Sequence, residues 1–413
     1  MASSVNGNST SETQNGSQIK YGERLLPQVL DNWAAEDPDY IVGMMAKPES
    51  TTVPLDFTEL SVSQLASTVD YTSHWLAKNL STAPQTTTTP ETIAFVGLQD
   101  FRYRVMWYAA LKSGRQLLLP NPRNALFNTV SLLRSTHCTT LFSTGPFNGQ
   151  ATALAQAVPS LRTVALPPLD EMLLTPTPTP HYPYTKTFWQ ARNDIVLIVH
   201  TSSSTGDPKP DHPLHQRVLQ PRRPRRPDPA RGGGREHAST FALCRPVTKV
   251  FLGTNFFHLS GIHFSTAALF RRFTTVWGPP DQLPRGEVAA DVLKSVRVQV
   301  VVVVPSVCDA VFMGYGRELM EQEHLQELEH VNWTLADATG DWITTHLPRV
   351  KLWQIFGSTE VAALPLLIPR ARSHWSYIEF HPVIGPALDA TSDDPALFEV
   401  VRRPLPPGAP EYT

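Results

Sequence analysis

Apolar and polar positions along the chain change period several times, and each change predicts an element. Asp56 to Leu60 ends an extended stretch, after which Val62, Leu65, Val69, Trp75 and Leu76 recur at roughly helical spacing. Ile93 to Gly97 is a short apolar run that predicts a strand, and Trp107 to Asn121 predicts a helix, a glycine turn and a second strand. Asp194 to His200, Val301 to Val304 and Val350 to Trp353 are further apolar runs that read as buried strands, the second followed by a proline turn at Pro305. Strands alternating with helices predict an α/β protein with parallel sheets and crossover helices.

Several stretches carry no such period. Residues 1–20 are polar, rich in Ser, Asn and Thr, and lack an apolar core segment, so they read as a disordered tail and neither as a secretory signal nor as an anchor. Thr175 to Pro180 alternates Thr and Pro and predicts a stiff, extended linker. Asp211 to Arg235 is dominated by Arg, Pro and Gly, which can make neither a central strand nor a stable helix. Residues 211–245 therefore form an irregular insert within a body spanning 21–413. They read either as a basic loop contacting an acidic partner or nucleic acid, or, the favoured reading, as an out-of-frame or mis-spliced segment. Arg, Pro, Gly and Ala have GC-rich codons, and patterned sequence resumes near Val250.

Composition narrows the classes. A chain of 413 residues that is 41% hydrophobic can bury a sizeable core, in two or three subdomains. Its formal charge of −2 offers no global attraction for nucleic acid or an anionic membrane, and no apolar run is long enough to span a bilayer. Cys138, Cys244 and Cys308 are widely spaced, without a metal or disulfide pattern, which points to a reducing, cytoplasmic setting.

The chemistry concentrates after the Asp194 strand. Thr201, Ser202, Ser203, Ser204, Thr205, Gly206 and Lys209 make a hydroxyl-rich turn in which backbone N–H groups and side-chain hydroxyls can donate to phosphate, with a lysine adding charge. On composition alone a solvent-exposed Ser/Thr loop fits equally well. The spacing T-S-S-S-T-G-x-P-K is more specific. It resembles the T-S-G-S-T-G-x-P-K phosphate motif of the adenylate-forming superfamily, which includes acyl-CoA synthetases, luciferases and adenylation domains of nonribosomal peptide synthetases. Ser203 stands where that motif has glycine, at a backbone cost of roughly 1–3 kcal/mol if the position needs a left-handed conformation.

Other segments carry the same resemblance. Gln354-Ile355-Phe356-Gly357-Ser358-Thr359-Glu360 is similar to the family's Y-G-x-T-E motif, Phe256 to Gly261 to its aromatic substrate gate, and Val301 to Val307 to the strand and turn lining its acyl pocket. Lys112-Ser-Gly114 through Pro120 resembles its L-K-x-G signature, and Trp375 to Pro382 resembles fungal reductase-type, peptide-synthetase-like enzymes. The resemblance implies the large amino-terminal part of the adenylate-forming fold with a remnant of its distorted β-barrel. It implies ATP phosphates held by Thr201 to Gly206 and Lys209, adenine stacked on Phe356, AMP phosphate at Thr359, and Mg2+ at Glu360. Gln354, Gly357 and Ser358 belong to the same nucleotide motif. Lys209, Thr205 and Glu360 become the catalytic set, and Phe257, His258, Gly261, Pro305 and Ile355 border the acyl group.

The implied reaction is ATP-dependent activation of a carboxylic acid as its acyl-adenylate, with a phosphopantetheinyl carrier protein in trans as partner, in fungal secondary metabolism. Neither a membrane nor nucleic acid is an expected partner. Three departures, the first being the irregular stretch 211–245, support an alternative, a decayed or misannotated fragment that at most binds nucleotide. The Leu328 to Trp342 segment lacks the family's glycine pair. Thr339-Gly340-Asp341 precedes the F-G-S-T-E element, so it is a decoy for the ribose-binding T-G-D motif, which should follow it. Nothing before Thr413 resembles the family's hinge or lysine-bearing lid domain.

Overall fold

The computed structural model describes residues 12–14, 17–19, 24–80, 90–174, 179–201, 209–211, 237–238, 248–332, 335–359, 362–364, 366–367, 369, 371–380, 386–390 and 398–402. Glu12–Gln14 (β1) and Ser17–Ile19 (β2) pair antiparallel, within the stretch that composition reads as a tail; its other residues lie outside the described set.

Two sheets carry the body. The smaller has the order β6 (Gln116–Leu118), β5 (Thr92–Val96), β7 (Thr140–Ser143), β8 (Arg162–Ala165), and all its pairs are parallel. The larger has seven strands in the order β16 (Lys351–Trp353), β15 (His330–Asn332), β14 (Val300–Val303), β12 (Lys249–Gly253), β13 (Thr274–Trp277), β3 (Ile41–Ala46), β4 (Phe57–Ser61). Only its β3–β4 edge is antiparallel. The α/β expectation thus holds, with helices as crossovers. Toward the carboxyl side the pairs become short and antiparallel, where the sequence suggests a barrel remnant. Gly357–Ser358 (β17) pairs with Ala362–Ala363 (β18), His237–Ala238 (β11) with Leu366–Leu367 (β19), and Pro386–Ala390 (β20) with Phe398–Arg402 (β21).

Local chemistry explains the boundaries. The Val62–Asn79 helix starts where the Ser61 side chain accepts from Gln64 N–H and the Gln64 side chain returns the bond to Ser61 N–H. The Arg102–Lys112 helix begins five residues before Trp107, where sequence patterning starts it, because its first turn is charged yet buried. Arg102 forks onto Asp100, and Arg104 donates to the Thr275 hydroxyl and the Val42 carbonyl oxygen. Pro305 does not make the turn that the sequence suggests. It opens the Pro305–Gly314 helix, whose first residue needs no N–H donor.

The strands of the larger sheet are apolar on both faces. Val300 and Val302 face a core shared with the Arg102–Lys112 and Leu259–Arg271 helices, which also receives Ile93, Phe95 and Phe142 of the smaller sheet. Val301 and Val303 face the helices Gly286–Ser295 and Pro305–Gly314 on the other side. Helices between the sheets therefore share one core with both. Among them Lys112 is fully buried, its ammonium 2.5 Å from Asp31 and 2.6 Å from Asp70, tying together three helices. Asp31, Asp70 and His181 present ligand atoms within 4.8 Å of one another, but the Lys112 ammonium already engages both carboxylates. Among the described residues no helix is long and apolar enough to cross a membrane. Cys138 and Cys308 are free, buried thiols, and Cys244 lies outside the described residues.

Candidate functional site

Parallel strands point their carboxyl ends, and the loops that follow them, to one edge of the sheet, where α/β proteins bind ligands. At this edge of the larger sheet β12 leads into Thr254 to His258, β14 into Pro305, β15 ends on Asn332, and β16 leads into Gln354 to Thr359. The sequence-nominated residues Phe257, His258, Gly261, Pro305, Gln354, Ile355, Phe356, Gly357, Ser358 and Thr359 are all carried by these strand ends.

The phosphate-loop sequence enters from the smaller sheet. Ile198 bridges Leu118 in parallel, with Leu119 N–H donating to the Ile198 carbonyl at 3.0 Å, so the chain runs along the β6 edge. Val199–His200 (β9) then pairs antiparallel with Pro210–Asp211 (β10), and Thr201 N–H donates to the Lys209 carbonyl at 3.2 Å. Thr201 and Lys209 thus stand side by side at the mouth of a hairpin. Thr201 is half-buried, and Lys209 is exposed with no ion pair among the described residues. Ser202, Ser203, Ser204, Thr205, Gly206 and the metal candidate Glu360 lie outside the described residues, as does the Arg/Pro stretch 212–236.

The gate is built by close approach. Phe256 is buried, stacks on Trp277 at 3.9 Å, and donates its N–H to the Gln99 side chain beyond β5 at 2.7 Å, so Gln99 joins the smaller sheet to the gate. His258 caps the Leu259–Arg271 helix through its backbone, with its ring 4.6 Å from Phe257. One turn on, a Cβ at Gly261 would lie 2.2 Å from the Asn255 carbonyl oxygen, so only glycine lets the helix rest against the loop that feeds it.

Burial pushes the His258 imidazole down to about 4, assisted by His200 and Arg123 nearby. Burial likewise lowers His200, whose Nδ1 donates to the Thr201 carbonyl while Nε2 accepts from Asn121 N–H at 2.9 Å. Both rings are neutral at pH 7. The unfolded chain, with histidines near 6.5, takes up protons first on acidification, so stability is full above that value and falls as pH drops toward 4. For His258 the loss is about 2 kcal/mol at pH 5 and approaches about 3 kcal/mol below pH 4. Urea unfolding midpoints at pH 7.5 and 5 measure it, and His258→Phe is expected to flatten the dependence.

The carboxyl ends also hold polar atoms that the fold leaves unmatched. Asn332 is fully buried, and neither its amide nitrogen nor its oxygen has a partner among the described residues. Its register neighbour Val302 faces the inter-sheet core, so the amide faces the side holding Phe257 and Leu259. Thr254 Oγ1, Asn255 Oδ1 and Gln354 Oε1 are likewise buried and unmatched. Such atoms cost about 1–3 kcal/mol each unless a ligand or water meets them, which fits a site shaped for a polar molecule. Sequence patterning missed Asn332 and His200, because His200 only ends an apolar run, Asn332 follows the mixed stretch Glu329-His330-Val331, and only the fold reveals what surrounds each.

Phe356 to Ser358 enter the tight pairing of β17 with β18, closed by Leu364 N–H donating to the Phe356 carbonyl at 2.8 Å. Thr359 lies at its tip and is half-buried. Phe356 is 39% exposed, held edge-on to Phe380 at 5.5 Å, which leaves its ring available. Ile355 packs against the inter-sheet core. Thr339, Gly340 and Asp341 lie instead on the Asp337–His346 helix with structural partners. Thr339 donates to Asp309, Trp375 donates to Asp341, and a Cβ on Gly340 would sit 2.1 Å from the Trp375 ring.

Known proteins are similar to this chain in sequence and in fold. The chain is 27% identical over 384 residues to the isocyanide synthase–NRPS hybrid crmA of Aspergillus fumigatus, covering 91% of this chain and 24% of that protein. It is 23% identical over 369 residues to a carboxylic acid reductase of Neurospora crassa, covering 87% of this chain and 33% of the other. The chain thus spans a third or less of the length of these curated relatives. In fold it is similar to the N-terminal domain of FACL13 from Mycobacterium tuberculosis, with a TM-score of 0.64 at 15% identity over 83% of this chain and 78% of that one. The sequence profile described as AMP-binding enzyme matches residues 31–387, and the chain belongs to that family.

Proposed function

We propose that this chain activates a carboxylic acid as its acyl-adenylate at the carboxyl edge of the larger sheet. The observation that supports this reading is the hairpin stem at Thr201 and Lys209, which directly follows His200, a residue close enough to His258 for its charge to act there. A carboxylate oxygen attacks the α-phosphorus of ATP, the bond from that phosphorus to the bridging oxygen breaks, and its electron pair leaves with pyrophosphate. Positioning and charge neutralisation are what such a displacement needs from a protein.

Thr201, Ser202, Ser203, Ser204, Thr205 and Gly206 would donate to the phosphates, and Lys209 would add a charge-assisted bond. Thr359 would meet the α-phosphate, the exposed face of Phe356 would stack on adenine, and Gln354, Gly357 and Ser358 would frame it. Phe257, His258, Gly261, Pro305 and Ile355 would border the acid, and a neutral His258 avoids a fixed charge beside the acyl chain. Glu360 would hold Mg2+, which supplies charge neutralisation when bound.

Similarity to the isocyanide synthase–NRPS hybrid supports a peptide-synthetase-like role, which we place in secondary metabolism inside the cell, where a thiol on a carrier protein would accept the acyl group. Ser203, in place of a glycine, favours a second reading in which the chain binds nucleotide without adenylating. Carboxylate-dependent exchange of labelled pyrophosphate into ATP separates the two. The first reading expects exchange with some member of a panel of aryl, aliphatic and amino acids. ATP binding with no exchange across that panel would support the second.

A further inference from the structure

The stem of the phosphate loop is bolted to a second loop that none of the sequence motifs assigns a role. His200 Nε2 accepts from the Asn121 backbone at 2.9 Å and lies 3.4 Å from the Asn124 side-chain nitrogen. Asn121 in turn closes its own turn, its side-chain oxygen accepting from Arg123 N–H at 3.0 Å and its carbonyl from Asn124 N–H at 3.0 Å. Residues 121–124 are thus a tight side-chain-closed turn fixed to the residue that precedes Thr201.

Arg123 stands on that turn. Its side chain is exposed and makes no ion pair or hydrogen bond among the described residues. It is close enough to the gate for its charge to act on His258. A guanidinium on a turn held to the residue that precedes Thr201, with no carboxylate engaging it among the described residues, has the fork geometry that phosphate oxygens take up bidentately.

We infer that Arg123 is a further phosphate-binding residue, which engages the polyphosphate of the bound nucleotide and the pyrophosphate that leaves it. This rests on the site being the one that handles ATP, but its test does not require turnover. The same chemistry could serve the phosphate of a pantetheine arm, and the two sources are separable.

Inorganic pyrophosphate and free phosphopantetheine are titrated calorimetrically into the full chain and its variants. Arg123→Gln is expected to weaken pyrophosphate binding about ten- to a hundredfold, the range of one lost charge-assisted hydrogen bond. Arg123→Lys should keep part of the affinity, and phosphopantetheine binding should not change. Asn121→Ala, which loosens the turn and leaves the charge, should weaken pyrophosphate by a smaller factor. Melting temperatures equal to wild type show that the variants fold. In exchange assays the KM for ATP should rise more than kcat falls. Pyrophosphate binding undetectable in the wild type, or unchanged in Arg123→Gln, would overturn the assignment, as would a loss confined to phosphopantetheine. A wild type that binds pyrophosphate through Arg123 but exchanges none would reject adenylation and leave this residue's role standing.

Discussion

Replacing Gly261 with alanine is expected to abolish most carboxylate-dependent pyrophosphate exchange while leaving a folded protein. The new methyl group would lie 2.2 Å from the Asn255 carbonyl oxygen, and the obstructing atom is backbone, so no side-chain rotation relieves it. Either the Leu259–Arg271 helix or the loop at Asn255 must shift by about an ångström. Overpacking of this kind costs about 1–3 kcal/mol in stability, but a misplacement of that size in a reacting geometry costs roughly a hundredfold in rate. His258 and Phe257 ride on the displaced segment, so the loss should appear for every acid tested. Gly314→Ala is the control, since a Cβ there meets nothing within 4 Å. If Gly261→Ala exchanged as fast as the control, the gate would have no part in positioning substrate.

Lys112→Met is expected to give the largest loss of stability, about 3–5 kcal/mol, because it leaves two carboxylates in the interior without their cation. The Lys112 side chain is fully buried, with Asp70 9% and Asp31 21% exposed. Burial already raises the Asp70 carboxyl above the usual carboxylate range, against the opposing bond from Lys112. Without the ammonium that carboxyl should protonate more readily still, so the penalty should be greater at pH 8 than at pH 5. Lys112→Met combined with Asp70→Asn should recover part of the loss. Chemical denaturation across that pH range measures both effects, and a pH-independent penalty would mean that the lysine acts through its alkyl stem alone.

Much of the fold was legible because the signals are local. The Val62–Asn79 helix, β5, β14 and β16 lie where periodicity places them, and the described residues of the motifs after β12, β14 and β16 follow strand ends. Burial that contradicts residue type was not legible. Arg102 and Arg104 read as solvent-facing, yet they open a helix in the core, because Asp100, Thr275 and the Val42 carbonyl satisfy them from elsewhere in the fold. Pro305 suits a turn and a first helical position equally, and only the packing of Val307, Cys308 and Val311 decides for the helix. In the site, Asn332 and His200 were invisible for a related reason. A buried amide without a partner, or an imidazole bridging two loops, is defined by distances across the fold and not by its neighbours in sequence.

The seam between Leu118 and Ile198 bears on the order in which the molecule is made. The segment Ile198 to His200, which leads into the candidate phosphate loop, is templated by β6 and clasped by the Asn121 turn, both synthesised well before it. As the ribosome delivers Ile198 to His200, the edge that receives them has long since left the exit tunnel, and domains tend to fold in that direction. The entrance to the loop is therefore a surface inherited from the first third of the chain. The segment beyond Asp211 arrives at a doorway already framed.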